Sequence, residues 1–450
     1  MKIPLSPPNL NALLEAIPDD RFPLVLGQGR PLVSGKYLHW DALRHRTPPK
    51  GFTHEEWWLG IKYSRISACE TMPLMDKAGS TFTLVHVPPI RQGLHRIDQS
   101  FGMTGHSAGP PADVKAMVDV HGGRFLLTNS LMEEAIRSSQ LEGASTTRAE
   151  AKDMIREKRD ARNKSEQMIL NNFLAMERIE ELAKSPLTAD IFFELHSILV
   201  DGTLDDRSKA GVFRTDEDNV VVELLHSIET AHVPPPAGEL PERLQRIMAF
   251  ANSETPDDWL HPVLRAIILH FMIGYDHPFV DGNGRVARAL FYWAMLRYGY
   301  PLTKYLSISR VLRDAPAKYS RAYLYTETDG SDLTYFVDHQ IQVVLQSIEA
   351  LGKYVEKKVQ ATREIEAALR ESPELNYRQL RLLSHALRHP GFEYTVQSHQ
   401  TSHRVVTNTA RADLVGLADL GLLLKTKRGR RHAFIAPHDL EARIQDLKEA

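Results

Sequence analysis

From about residue 126 onward, apolar residues recur every three to four positions, the spacing of one helical face. LLTNSLMEEAIRSSQLEG, KSEQMILNNFLAMERIEELA, TADIFFELHSILVDG, LPERLQRIMAFAN, HPVLRAIILHFMIGY and RVARALFYWAMLRYGY all carry it. The first predicts a stop at Gly143 and the third a stop at Asp201-Gly202, since glycine takes the left-handed turn that ends a helix. AGVFRTDEDNVVVELLHSIETAHVPPP breaks the period. Its short apolar pieces around DEDN predict a β-hairpin over 217–233. Residues 120–355 thus read as a helical core carrying one hairpin, and the fold class is mainly α.

On either side the pattern changes. Residues 1–115 are rich in proline, glycine and aromatic residues and predict a mixed module. FTLVHVPP predicts a strand there, and HEEWWLGIKYSRISACE a helix with Trp57, Trp58 and Ile61 on one face. HSAGPPADV, from His106, marks a boundary. After the core, YFVDHQIQVVLQSIEALGKYVEKKVQATREIEAALRE predicts a long, increasingly polar connecting helix. Residues 375–440 then read helix, tight turn, helix and two short strands around KRGRR, the order of a winged helix-turn-helix.

Composition narrows the class. The 450 residues have a formal net charge of -2, so no global field draws the chain to nucleic acid or membrane. The single cysteine, Cys69, excludes an intrachain disulfide or thiolate cluster. The N-terminus shows no signal-peptide pattern and AIILHFMIGY is too short to span a bilayer, so a cytoplasmic protein without membrane contact is expected. CxxC, HExxH, GxSxG and GxGxxG motifs are absent, and His261 and His270 read as ordinary helix residues.

One stretch concentrates chemistry: HPFVDGNGRVAR, residues 277–288. Gly282 and Gly284 flank Asn283 and permit a sharp turn with backbone N–H groups pointing one way. The next helix starts there, and its first N–H groups lack intrahelical partners, which makes an anion site suited to phosphates. Arg285 and Arg288 are three apart and can reach phosphate oxygens. Asp281 suits a hydrated Mg²⁺ beside those phosphates. His277, outside the turn, can deprotonate a hydroxyl, and Phe279 anchors the loop in the core. The stretch lacks the Gly-Lys-Ser/Thr of a P-loop.

HPFVDGNGRVAR resembles the complete signature of the Fic family, and the resemblance extends over roughly 120–340. Fic proteins typically transfer AMP from ATP to a Ser, Thr or Tyr hydroxyl of a protein. The resemblance implies His277 as general base and Asp281 as ligand of a Mg²⁺ bridging the α- and β-phosphates. It implies Gly282, Asn283, Gly284 and Arg285 as phosphate-holding residues and Arg288 as partner of the γ-phosphate. The 217–233 hairpin would be a flap that clamps the target segment by backbone pairing. Adenine and ribose are expected against 310–330, with Tyr319 or Tyr323. SSQLEG, 138–143, resembles the inhibitory motif of one class of the family, on a helix near 129–143. Ser138 and Glu142 would share a face, and Glu142 would ion-pair with Arg288 in the γ-phosphate position. In some relatives the equivalent glutamate instead helps water remove AMP, so inhibition and hydrolysis both stand as readings of Glu142.

In the C-terminal module, Thr395–Arg404 and Asn408–Leu420 are the expected helices, with Thr407 or Asn408 as cap of the second. Asn408, Thr409 and Arg411, with Lys425, Lys427, Arg428, Arg430 and Arg431 of the wing, are candidate contacts to DNA or to a protein partner. Three functions follow: an adenylyltransferase acting on a target protein or on itself and held off by Glu142; a relative performing another nucleotidyl or phosphoryl transfer or removing AMP; and a nucleotide-responsive DNA-binding regulator. A homodimer is a further implication of the family.

Overall fold

The computed structural model describes residues 2–102, 123–224, 229–252, 259–370, 375–389, 391–428, 431–437 and 439–449. Residues 1–103 and 130–348 form one compact unit, and 104–129 with 349–450 a second. The boundary expected at HSAGPPADV lies outside the described residues.

Helices Pro262–Asp276 and Asn283–Arg297 lie at the centre of the first unit. Both are apolar on nearly every face and are buried over most of their length, as expected of helices with no solvent side. Trp293 and Phe271 are fully enclosed, and burying one such side chain contributes about 2–3 kcal/mol. Helices Lys164–Leu182, Ala189–Val200 and Leu240–Ala251 pack around this pair, the first two with asparagine and threonine caps. At Gly274 a methyl group would overlap the Tyr323 hydroxyl, so only glycine lets helix Pro316–Thr328 approach so closely.

The N-terminal residues share this unit rather than standing apart. Helix His54–Ile66 starts at a Thr53/Glu56 capping box and buries Trp57, Trp58 and Ile61. Strands Cys69–Met75 and Thr81–Val85 form a hairpin, and Thr83 bridges to Asp332. The Tyr37 hydroxyl donates to Asp332 at 2.6 Å, and the buried Arg65 donates to the Tyr335 hydroxyl at 2.7 Å. These long-range polar contacts join the module to the core, a link that local spacing does not express.

The second hairpin is shorter than the sequence predicts. Asp216–Asp218 form a 3₁₀ turn, and among the described residues Val222–Glu223 pair with Thr230–His232, continued by the Leu224 N–H donating to the Glu229 carbonyl at 2.9 Å, with 225–228 outside the described residues. The first core helix runs Gly123–Leu141, so Glu142 lies just beyond its end in a turn closed by Gly143 at φ 91°.

In the second unit, helices Tyr377–Arg388, Val396–His403 and Thr407–Asp419 meet a three-stranded antiparallel sheet of Glu393–Tyr394, Arg431–Ile435 and Leu424–Arg428, in that spatial order. Leu382, Leu383, Leu414, Leu417, Leu422 and Phe434 form its core. Thr395 caps the second of these helices, but the third begins at Thr407 with Val406 before it, so neither Thr407 nor Asn408 is its cap. Thr407 instead donates its hydroxyl to Gln400. Asn408 and Arg411 are exposed and Thr409 half-buried. Arg430 lies outside the described residues, as do the side chains of Lys427, Arg428 and Arg431.

Candidate active site

Helix Pro262–Asp276 ends where His277 takes the left-handed conformation, φ 46°, and the chain turns through Pro278–Gly282 into the next helix. Gly282, φ 84°, precedes Asn283–Arg297 without any side-chain cap, leaving the first helical N–H groups open. The turn is held from inside. Asn283 accepts the Phe279 N–H at 2.9 Å and donates to the Phe279 carbonyl at 2.8 Å. The Phe279 ring stacks on His196, 3.6 Å between centroids. His196 Nδ1 accepts the Gly211 N–H, so its Nε2 carries the proton and donates to the Asp281 carbonyl at 3.0 Å. Burial, opposed by the bond to Asp281, lowers its pKa to about 4, in keeping with a neutral ring.

A cavity of about 340 Å³ opens over this turn. His277, Asp281, Gly282, Asn283, Gly284 and Arg288 line one side, Tyr319, Ser320 and Tyr323 another, and Val222–Leu224 with His232 of the hairpin a third. His277 Nδ1 lies 3.0 Å from the Gly274 carbonyl. A carbonyl only accepts, so Nδ1 holds the proton and Nε2 keeps its lone pair. Burial, ahead of the opposing bond to Gly274, lowers the His277 pKa below its ordinary value, so the ring is neutral near pH 7 and can take up a proton at Nε2.

Arg288 is buried, yet its guanidinium is saturated on one side. Nε donates to Ser138 Oγ at 2.9 Å, and Nη2 to the Ser138 carbonyl at 3.1 Å and to Glu142 Oε1 at 2.8 Å. Burial opposes its charge, and Glu142, Tyr319 and Glu134 more than offset that, so its pKa stays raised. The Glu142 carboxylate sits directly over Gly284, where an added methyl group would overlap it. It therefore covers the open end of the helix.

The structure brings His277, Asp281, Gly282, Gly284, Arg288, Ser138 and Glu142 together, but Asn283 and Arg285 are placed differently from the sequence expectation. The Asn283 side chain bonds both the N–H and the carbonyl of Phe279 and so braces the turn. Arg285 points away, donating to the Leu199 carbonyl at 2.7 Å and to Asp281 Oδ2 at 3.2 Å. It orients the aspartate instead of lining the cavity. The other Asp281 oxygen accepts the Gly282 N–H, and the side chain is 48% exposed. Among the described residues, no three His, Cys, Asp or Glu side chains gather as a metal cage. A cation at Asp281 would draw its remaining ligands from water and a bound anion, the habit of Mg²⁺. Tyr319 and Tyr323 both line the cavity, and the Tyr319 hydroxyl bonds His270 Nε2 at 2.8 Å.

Several residues that shape the site carry no sequence motif. Arg214 donates to the carbonyls of His277, Pro235 and Asp276, fixing the turn and the flap base. Arg243 pairs with buried Asp276 at 2.7 Å, yet burial prevails and raises that carboxyl's pKa to about 6. His232 of the flap lies 2.7 Å from the Tyr275 carbonyl through Nε2 and 2.6 Å from Glu327 through Nδ1. The available signal was a polar residue in an apolar run, as in IFFELHSILV for His196.

Comparison with known proteins places this geometry. Residues 186–295 match the Fic/DOC family. The chain is 32% identical over 166 residues to the protein adenylyltransferase Fic of Drosophila virilis, covering 36% of this chain and 32% of that protein. The same identity and span hold for the protein adenylyltransferase Fic of Drosophila melanogaster, covering 36% and 31%. The chain thus spans about a third of the length of these relatives. A Fic family protein from Desulfovibrio desulfuricans G20 superposes with a TM-score of 0.50 over 78% of this chain and 97% of that one, at 20% identity, and shares the fold. The turn at His277 thus lies within the stretch that matches the Fic/DOC family.

Proposed function

We propose that this chain transfers AMP from ATP to a Ser, Thr or Tyr hydroxyl of a target protein or of itself, and that Glu142 restrains the reaction. The observation that carries the proposal is one shared cavity: a neutral His277 with Nε2 free, beside an uncapped helix start and the buried Arg288. The hydroxyl oxygen attacks the α-phosphorus, its proton passes to His277 Nε2, the bond to the bridging β-oxygen breaks and pyrophosphate leaves. The open N–H groups from Gly284 onward and Arg288 hold the phosphates. Asp281 would hold Mg²⁺, which when bound neutralises phosphate charge and improves the leaving group. The named function of the Drosophila relatives supports the reaction class.

Glu142 pairs with the side chain that would meet the γ-phosphate, which supports a braking role. The flap strand Val222–Glu223 offers a short edge on which a target segment could pair. ATP labelled at the α- or γ-phosphate, incubated with Mg²⁺ and wild type, Glu142→Gly or Glu142→Gly/His277→Ala, with and without cell extract, tests the reading. Label from α alone, strongest in Glu142→Gly and lost in the double variant, supports it. Label from γ identifies phosphorylation and overturns it; loss of AMP from a premodified target that requires Glu142 favours the hydrolytic role.

A second reading concerns the C-terminal unit. Exposed Asn408 and Arg411 on helix Thr407–Asp419, beside the Leu424–Arg428 strand, suit a winged-helix contact to DNA. Salt-dependent binding weakened by Arg411→Ala supports it; binding of a protein or a second copy through this face overturns it. Among the described residues no helix is long and apolar enough to cross a membrane.

A further inference from the structure

The helix that carries Ser138 holds a second carboxylate, which the reading of Glu142 does not use. Glu134 is 1% exposed. It accepts the Ser307 hydroxyl at 2.9 Å, the Ser309 N–H at 3.1 Å and the Ser309 hydroxyl. Burial pushes its pKa up, and the bonds from Ser309 and Ser307 and the charge of Arg288 oppose that. Enclosing a carboxylate costs free energy that an apolar side chain would not, and its hydrogen bonds offset the cost only while they are kept. The helix is therefore fixed at Glu134 to within hydrogen-bond tolerance.

Ser307 and Ser309 stand at the start of helix Ile308–Asp314, which has no side-chain cap from its own Ser307. Glu134 supplies one from 175 residues away, through the Ser309 N–H. The same segment is held from another side by Tyr292, whose hydroxyl accepts the Ile308 N–H at 3.1 Å and donates to the Leu306 carbonyl at 3.2 Å. Tyr292 lies one turn beyond Arg288 on helix Asn283–Arg297, and Glu134 one turn before Ser138. The two helices are thus joined at two levels. Ser138 and Glu142 meet Arg288 directly, and Glu134 meets Tyr292 through residues 306–309. Residues 134, 138 and 142 follow one another at helical spacing, so a rotation or slide of the helix that parts Glu142 from Arg288 also breaks the bonds of Glu134.

We infer that Glu134 is a positioning residue for the brake: it sets the rotation and height of the helix that places Ser138 and Glu142 on Arg288. The moving part on release is then this helix, with loss of the Glu134 bonds, and not the Glu142 side chain alone. The inference rests on the restraining role proposed for Glu142. Glu134 itself does not line the cavity, so it acts on the reaction only through the helix.

The test uses the full chain and two readouts: the initial rate of α-phosphate label incorporation, and amide hydrogen exchange at 130–142 without nucleotide. Glu134→Gln keeps the shape and replaces a charged acceptor by a neutral one, which weakens each bond. Transfer is expected to rise roughly fivefold, less than in Glu142→Gly. In the Glu142→Gly background the same substitution is expected to change the rate less than about twofold, because no brake remains to be positioned. Exchange at 130–142 is expected to quicken roughly fivefold, with helix Pro262–Asp276 unchanged. Ser307→Ala/Ser309→Ala removes two donors from the other side of the contact and is expected to reproduce both effects, which covers a Glu134→Gln protein that does not fold. A merely structural role changes the rate by the same factor with and without Glu142, and that result overturns the inference. Unchanged exchange at 130–142 overturns it as well. If no variant transfers label, Glu142→Gly included, the transfer reading fails and the exchange result alone decides the anchoring.

Discussion

Removing the Glu142 carboxylate isolates one contact whose energy the structure allows to be bounded. In Glu142→Gly, Arg288 loses the 2.8 Å bond to Oε1 and keeps its two bonds to Ser138. A hydrogen bond to a charged group contributes about 1.5–3 kcal/mol. Glu142 is 30% exposed, and water screens that side, so the lower half of the range, about 1.5–2 kcal/mol, applies. If a phosphate must displace this carboxylate before reacting, the rate of AMP transfer rises by roughly 10- to 30-fold. Glu142→Gln retains the shape and loses the charge, so it falls between wild type and Glu142→Gly. The assay is the initial rate of α-phosphate label incorporation at fixed Mg²⁺-ATP below saturation. Melting curves verify that each variant is folded. A change of less than about twofold in folded Glu142→Gly would refute the reasoning, because the ion pair would then not compete with the reacting phosphates.

Three other outcomes follow from side chains around the site. Asn283→Ala strands the buried N–H and carbonyl of Phe279, so it should lower unfolding free energy by about 2–3 kcal/mol in urea titrations, whereas a pure phosphate-contact role predicts lost activity at unchanged stability. His232→Ala frees the flap from Tyr275 and Glu327 and should raise KM for the protein target roughly fivefold, about 1 kcal/mol, with a smaller effect on kcat; an unchanged KM contradicts the anchoring role. Acid should destabilise the first unit early. His39, with its pKa lowered to about 3, His196 and His339, each lowered to about 4, and His270, lowered well below its ordinary value by burial, stay neutral when folded but gain protons near pH 6.5 when unfolded. Their stabilising contribution is present above that pH and is lost as pH falls below it. Asp276, raised to about 6, acts in the opposite sense by taking up one proton in the folded state. Glu134 and Asp338, also raised by burial, act in the same sense as Asp276, and the four histidines outnumber these carboxyls, so stability falls as pH drops from 6 to 5. A melting temperature that is flat over that interval contradicts this balance.

The helical period and the HPFVDGNGRVAR stretch made the core and the turn legible, because both are local: spacing sets the buried face, and paired glycines set the turn. Ser138 and Glu142 were legible only as a short pattern, yet both meet Arg288, 150 and 146 residues away in sequence. The partners that Asn283 and Arg285 take in the fold were not legible, for a physical reason. Residue type indicates what a side chain can bind, while burial decides what it does bind. In a tight turn, the nearest carbonyls and N–H groups have the first claim. Arg214, Arg243 and His196 were not legible, since each acts through backbone groups or a buried partner that only folding brings near. The N-terminal residues likewise join the first unit through Tyr37–Asp332 and Arg65–Tyr335, contacts that no composition shift announces.

The absence of a side chain at Gly284 carries a further consequence. The same vacancy that leaves room for a phosphate at the helix start admits the Glu142 carboxylate, so a larger residue there would exclude inhibitor and nucleotide alike. On the proposed reading, the chain carries its own tethered competitor at a fixed effective concentration, set by a turn that cannot diffuse away. Inhibition of this kind is graded. Nucleotide supply and anything that loosens the turn at Gly143 act on the same equilibrium, and enzyme output becomes a ratio of two occupancies instead of an on or off state.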